Sequence, residues 1–550
     1  MKRFFVSVLI GIFMILLIAA IGVGGFLYYR YYPVKDRIAP AEWFGVSDDQ
    51  LAIVLNDRRE ETAGLYRDGQ AYLPLTWVQE NVNERFYWDS RGKQLIYTLP
   101  ELIVYATAET LGKDGIPLLI NEDDQVWLRT GLILSYSDIR VEMFVGEGAA
   151  RVVIDNRWEP VQVATVKKDD HIRELGGVKS PILTDVKGGT EVTVLEILEK
   201  WTKVRTADGY VGYIQNKRLT DSSEKPYYSS FEAPEYTSIA LAEPVCLVWH
   251  QVTVEQANQT LESMLATAKG VNVIAPTWFM LTDNAGNYDS LADRSYVDKA
   301  HAMGLQVWGV LDNFNRGDNV KSEVLFANTT ARETLITNLM KDVEAYDLDG
   351  INLDIEMIKP AAGPHYVQFI RELSVACRKN QIILSIDNAV PISYASFYNH
   401  AEQGRVADYV ILMGYDEHTG KDIGSVASLG FERDGIEAVL KMVPAEKVIS
   451  GIPFYTRLWK QTGDEVSFTV RGIAGAQKWI EENNVEMYWQ EELGQYYGEL
   501  TVGDDQYFLW QEDARSIGKK MELVREYQLA GAAFWRLGFQ TDEIWDVITP

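Results

Sequence analysis

The first charge pair, Lys2 and Arg3, is followed by a run from Phe4 to Tyr29 that contains no charge at all. A helix that crosses a bilayer needs about 20 apolar residues, and this run exceeds that. It ends in Tyr28, Tyr29, Arg30, Tyr31 and Tyr32, which resembles an interfacial aromatic belt rather than a small-residue cleavage site. The pattern predicts a single-pass membrane anchor over residues 1–32, with residue 1 in the cytoplasm and the remainder outside. The alternative is a signal peptide cleaved on secretion.

Beyond the anchor the pattern changes three times. Residues 33–155 read as a small α/β, mostly β unit: Asp68-Gly69 marks a turn, residues 71–75 and 94–97 read as strands, and a weaker echo follows at 124–128 and 151–154. Residues 156–221 alternate more strictly. Residues 191–197 and 201–205 read as strands, Asp208-Gly209 as a tight hairpin turn, and residues 210–214 close the pattern. Residues 222–236, with Ser222-Ser223-Glu224-Lys225-Pro226 and Glu232-Ala233-Pro234-Glu235, form a polar linker.

From residue 237 to 550 the apolar runs become continuous, as expected of parallel strands covered by helices. They fall at 245–249, 271–278, 305–311, 351–356, 382–387, 409–415, 448–455 and 530–535. Eight strands alternating with helices predict an α/β fold of the (β/α)8 TIM-barrel type, whose active site lies at the C-terminal strand ends. The long stretch between the seventh and eighth runs, including 486–489 and 507–510, predicts an inserted β-rich lobe. Polar residues at the strand ends include Asp312, Asn313, Glu356, Asp387, Asn388, Tyr415, Asp416, Arg457 and Trp535.

Composition narrows the chemistry. Of 550 residues, 47% are hydrophobic and 24% charged, an ordinary globular balance. A net charge of −27 repels polyphosphate and argues against nucleic-acid partners. Cys246 and Cys377 are too few for a disulfide scaffold and read as buried free thiols. Six histidines without an HxxxH or HExxH pattern argue against a zinc enzyme, and no cofactor is indicated.

The fourth run is the sharpest signal: Asp349-Gly350-Ile351-Asn352-Leu353-Asp354-Ile355-Glu356. Period-two alternation puts Ile351, Leu353 and Ile355 on one face and Asn352, Asp354 and Glu356 on the other. With the apolar face toward the helices, an amide and two carboxyls point into the barrel, close enough to hydrogen-bond along the row. That arrangement costs several kcal/mol in desolvation and charge repulsion, and a sequence shaped by stability alone would place Val or Ile there. It suits a general acid: burial beside a second carboxyl keeps a proton on Glu356 at the barrel mouth.

These residues resemble the DGxDxDxE motif of glycoside hydrolase family 18, the chitinase-like enzymes. Met413-Gly414-Tyr415-Asp416, Gly451-Ile452-Pro453-Phe454-Tyr455 and Gly531-Ala532-Ala533-Phe534-Trp535 resemble that family's sixth, seventh and eighth strands. The likeness extends to the bacterial branch of spore-cortex and germination hydrolases. It implies a retaining, substrate-assisted mechanism, with Glu356 as acid/base, Asp354 orienting the substrate's N-acetyl group and Tyr415 donating a hydrogen bond to it. Trp535 would form the floor under the sugar, and Asn352, Met413, Asp416, Trp278, Asn388 and Arg457 would line the rest of the site. Trp201, Val204, Gly209, Gly212 and Tyr213 resemble the bacterial SH3-like barrel of cell-wall proteins, a wall-binding module or a spacer. Residues 33–155 resemble the N-terminal stalk domain of some copper amine oxidases.

One position departs from the pattern. Asn352 stands where the family's motif has the first aspartate of its DxDxE row; an amide there is expected to keep a hydrogen bond to Asp354 but cannot share a proton with it. Two readings follow. The first is an anchored, extracytoplasmic enzyme cleaving β-1,4 bonds of N-acetylglucosamine-containing glycan, peptidoglycan or chitin-like. The second is a weakly active wall-glycan-binding or scaffold protein. The anchor and the SH3-like module favour wall glycan as the partner.

Overall fold

The computed structural model describes residues 2–47, 49–146, 148–314, 319–391 and 393–549. Two compact units partition the chain, Met1–Trp88 with Tyr105–Ala233, and Asp89–Val104 with Pro234–Pro550.

In the first unit, the helix Lys2–Tyr31 carries the exposed apolar segment Phe4–Tyr31, which reaches a mean hydropathy of 3.1 over 18 residues. It is long and apolar enough to cross a membrane. A seven-stranded sheet follows, mostly antiparallel, with Gln50–Leu55 pairing in parallel with Ala150–Asp155. A second seven-stranded sheet holds the hairpin of Trp201–Arg205 and Val211–Gln215, and Gly209 in its connection has φ of 88°, a conformation open to glycine. Val54 and Val153 of the first sheet and Ile172, Val204 and Ile214 of the second share one buried core.

In the second unit, eight parallel strands close a barrel: β1 Val245–His250, β2 Val273–Pro276, β3 Gln306–Asp312, β4 Gly350–Asp354, β5 Ile383–Ala389, β6 Tyr409–Met413, β7 Val448–Pro453 and β8 Gly531–Trp535. Each strand is covered on both faces, which is why its sequence reads as an unbroken apolar run. Ile351, Leu353 and Ile355 pack outward among the helices, while Leu247, Trp249, Trp308, Val310, Tyr409 and Ile411 fill the lumen. Both cysteines are buried free thiols.

The seventh run, read from sequence as one strand over 448–455, is two elements. Pro453, which has no N–H to continue a ladder, ends β7, and Tyr455 begins Tyr455–Thr462, the first strand of the lobe. The lobe is a five-stranded antiparallel sheet with one helix, Ile473–Asn483. Residues 89–104 also belong to this unit. The Gln368 amide donates to the Thr98 hydroxyl (3.1 Å) and the Arg378 guanidinium to the Pro100 carbonyl (2.9 Å).

A buried charge cluster lies between β7 and the helices Leu429–Val439 and Ala514–Glu526. Lys520 pairs with Glu512 at 2.5 Å, both nearly inaccessible. Glu432 accepts only the Ser450 hydroxyl at 2.8 Å, and its second oxygen has no partner among the described residues. One lysine cannot balance two buried glutamates, so one of them retains a proton. Burial pushes the Glu432 carboxyl up to about 7 from its ordinary 4.5. In the intervening range the folded chain holds a proton that the unfolded chain has lost, so raising the pH there weakens the fold. Glu432→Gln removes this dependence. From about pH 5 to about pH 8, the stability difference between variant and wild type is expected to move in the variant's favour. Urea unfolding across that range measures it, and a constant difference would contradict the assignment.

Candidate active site

The motif on β4 divides into a structural half and a chemical half. Asp349 accepts the Val307 N–H (2.8 Å) and bonds the His301 ring (2.9 Å), tying the start of β4 to β3. Gly350 faces Trp308 in the lumen, where a β-carbon would come within 2.7 Å of the indole ring. Neither residue is placed for chemistry.

Asn352 and Asp354 point into the lumen, and Glu356 follows at the rim. The Asn352 amide does not bond Asp354, contrary to the sequence expectation. Its Nδ2 donates to the Ser385 hydroxyl (2.9 Å) and to Asp387 Oδ1 (2.7 Å), and its Oδ1 accepts the Trp249 indole N–H (3.0 Å). The parallel register pairs Asn352 with Ser385, so the amide reaches sideways across the sheet before it can reach up its own strand. Ser385, Asp387, Asn352 and Trp249 are all buried.

Asp354 is 7% exposed, and its Oδ1 has no hydrogen-bond partner among the described residues. Its carboxyl and that of Glu356 are hydrogen-bonded to each other. Burial first, then the neighbouring Asp387 and Glu356, holds Asp354 well above the carboxylate range. Burial likewise raises Glu356, with Asp416 adding to it and the Asp354 bond opposing it. On β3, level with Asp354, burial lifts Asp312 to about 6. Burial also pushes Asp387 up, against the bond from Asn352. Among the described residues no cationic side chain is ion-paired with any of these four acids, and no three His, Cys, Asp or Glu side chains converge as metal ligands do. The site therefore balances its charge with protons.

The backbone of Glu356 is clamped at both ends of its peptide by Asn313. That side chain donates to the Glu356 carbonyl (2.8 Å) and accepts its N–H (3.0 Å). A cleft of about 410 Å³ opens beside Glu356, with Phe314, Met357, Lys321 and Lys359 on its walls. Met413 lies at the lumen end of β6, with Tyr415 and Asp416 just beyond. Burial holds the Tyr415 hydroxyl protonated, and its ring meets Tyr455 edge-on at 6.1 Å. Trp535, at the end of β8, is half-buried with its ring 5.9 Å from that of Trp249.

Arg457 reaches the site through another residue. Its guanidinium donates to Asp416 (2.6 Å) and to the His418 carbonyl (2.8 Å), and the Tyr455 hydroxyl donates to the same Asp416 oxygen. Two expected lining residues lie elsewhere. Trp278 is fully buried on the outer side of the barrel, its indole N–H bonded to Asn258 (2.9 Å) and its ring against Tyr296. It follows the end of β2 and packs among the helices, out of reach of a sugar. Asn388 faces outward from β5 and exchanges amide bonds with Gln403 at 2.7 and 3.2 Å. Conversely, Trp249 and Tyr455 hold the site together without having been singled out for it, and Asn313, read only as a polar strand-end residue, does so too. Tyr455 lay in a quoted motif, but the partners of Trp249 and Asn313 depend on cross-strand register.

Residues 316–540 match the model of Glycosyl hydrolases family 18, and residues 171–220 that of the Bacterial SH3 domain. A Bacillus subtilis (strain 168) protein named Uncharacterized glycosylase YvbX is 26% identical over 292 residues, 50% of this chain and 84% of that one. The Cortical fragment-lytic enzyme of the same organism is 24% identical over 46% of this chain and 61% of its own length, so under two thirds of that relative is spanned. Di-N-acetylchitobiase of Rattus norvegicus is 24% identical over 50% and 83%. The fold is shared with the crystal structure of the spore cortex-lytic enzyme SleL of Bacillus cereus. It has a TM-score of 0.51 at 19% identity, over 59% of this chain and 77% of that one. The chain thus carries a glycosyl hydrolase family 18 barrel, a glycosidase domain, together with a bacterial SH3 domain.

Proposed function

We propose that the protein is a membrane-anchored, extracytoplasmic hydrolase that cleaves β-1,4 bonds of N-acetylglucosamine-containing glycan by a retaining, substrate-assisted route. The observation that carries this reading is the buried Asp354–Glu356 carboxyl pair at the C-terminal end of β4, with Glu356 on the wall of a cleft. Glu356 donates its proton to the glycosidic oxygen as the bond to the anomeric carbon breaks. The substrate's own N-acetyl carbonyl oxygen attacks that carbon, giving an oxazolinium ion. Asp354 accepts the amide N–H and stabilises the positive charge, and Tyr415 donates to the acetamido oxygen. Trp535 offers an apolar face for the sugar ring. Glu356, now ionised, takes a proton from water, which reopens the ring with retention.

Wall glycan is the preferred substrate, and the likeness to the Cortical fragment-lytic enzyme supports that choice. The apolar helix over Phe4–Tyr31 supports anchoring, and the SH3 domain supports contact with wall material.

Glu356→Gln is expected to lower reducing-end release from purified wall glycan or a chitooligosaccharide by at least about 100-fold, with circular dichroism unchanged. Equal rates in variant and wild type would end the enzyme reading. Removal of the N-acetyl groups from the substrate is expected to abolish cleavage, since the nucleophile is lost with them. Undiminished hydrolysis of that substrate would exclude the substrate-assisted route. Wild-type activity should fall on the alkaline side, because the acid form of Glu356 is lost as pH rises through its elevated pKa. A pH–rate profile of kcat/KM reads that limb.

A further inference from the structure

The third acid of the row sits on the neighbouring strand. β5 presents Ser385 and Asp387 to the lumen beside Asn352 and Asp354 of β4, and the register that pairs Asn352 with Ser385 brings Asp387 level with Asp354. Neighbouring strands lie about 4.8 Å apart, so the two carboxyls are within reach of one another. The Asn352 amide cannot turn. Both its ends are engaged, by Trp249 on one side and by Ser385 and Asp387 on the other. Its N–H is therefore fixed on Asp387 Oδ1, a bond that stabilises a carboxylate. Asp354 has the opposite surroundings: its Oδ1 is buried without a donor. When one charge is shared between them, it rests on Asp387, and the proton rests on Asp354.

We propose that Asp387 is the positioning residue for Asp354, accepting its proton when positive charge develops on the substrate, so that β5 supplies the carboxyl that position 352 lacks. The proposal rests on the hydrolase reading above. In the step, the O–H bond of Asp354 breaks and an O–H bond forms on the free oxygen of Asp387. The negative charge moves from Asp387 to Asp354, toward the sugar, and no co-reactant is needed. Asp387 touches no substrate atom and acts through Asp354. The titratable groups around it are Asp354 and Glu356 of the motif, Tyr415 beyond β6 and Tyr366 on the helix Gly363–Asn380.

The test uses the full chain in detergent with a fluorogenic N-acetylglucosamine oligomer. Asp387→Asn keeps the shape and a hydrogen bond to Asn352 but accepts no proton. It is expected to lower kcat about tenfold with KM nearly unchanged. Removing a negative charge near Glu356 also makes that acid stronger, so the alkaline limb should move down by about one pH unit. The double variant Asn352→Asp with Asp387→Asn returns an acid to the row from β4 and should recover both kcat and the limb. A shifted limb with kcat unchanged would report only the lost charge and would overturn the proposal. A second readout does not need turnover: the infrared carbonyl band of the buried protonated acid, assigned by its loss in Asp354→Asn. Its titration midpoint should fall in Asp387→Asn. An unmoved midpoint overturns the proposal. An inert wild type with a shifted midpoint would instead overturn the hydrolase reading and leave the coupling standing.

Discussion

Buried acid without buried base is the constraint on which the site depends. Asp312, Asp354, Asp387 and Glu356 converge at one end of a barrel whose lower lumen is filled by Trp249, Trp308 and Tyr409. Charges taken out of water cost several kcal/mol each, and structures commonly offset that with arginine or lysine. Here Arg457 is committed to Asp416 and the His418 carbonyl. What remains to lower the cost is protonation, which is also what an acid catalyst needs. An arginine in the row would stabilise the fold and ionise Glu356, removing the proton that the proposed mechanism requires of it.

The clamps around the row follow from the same constraint. A proton donor has to sit within a few tenths of an ångström of its target, and a carboxyl repelled by its neighbours tends to swing toward solvent. Asn313 holds the Glu356 backbone through both its carbonyl and its N–H, and Asn352 is held by three buried partners. Amides suit this work because each carries a donor and an acceptor and no charge. They fix geometry without altering the proton count that the acids depend on.

How far the sequence reveals this can be followed residue by residue. All eight barrel strands were legible because parallel strands buried on both faces read as unbroken apolar runs, and Asn352, Asp354 and Glu356 were legible because alternation on β4 is strict. Alternation applied equally to β5 turns Asp387 inward and Asn388 outward, as the structure has them, so Asn388 was open to correction from the sequence itself. Trp278 was not. It lies beyond the end of β2, where period two no longer applies, and nothing local says that its ring turns back among the helices. The bonds of Asn352 were illegible for a different reason. They depend on the stagger between β4 and β5, which barrel closure sets and neither strand encodes alone.

That stagger bears on the chemistry itself. In glycosidases with a protein nucleophile, the second carboxyl must be ionised and free to attack the anomeric carbon. Asp354 meets neither condition: it is bonded to Glu356 and held well above the carboxylate range by burial. A carboxyl so placed is a poor nucleophile but a good receiver of an amide N–H once it has given up its proton. The arrangement therefore favours a substrate that brings its own nucleophile. The acetamido group does so, offering a carbonyl oxygen for the anomeric carbon and an N–H for Asp354. On the proposed reading, a preference for N-acetylated sugars would arise less from a pocket shaped around a methyl group than from the inability of the protein's own carboxyl to do the amide's work.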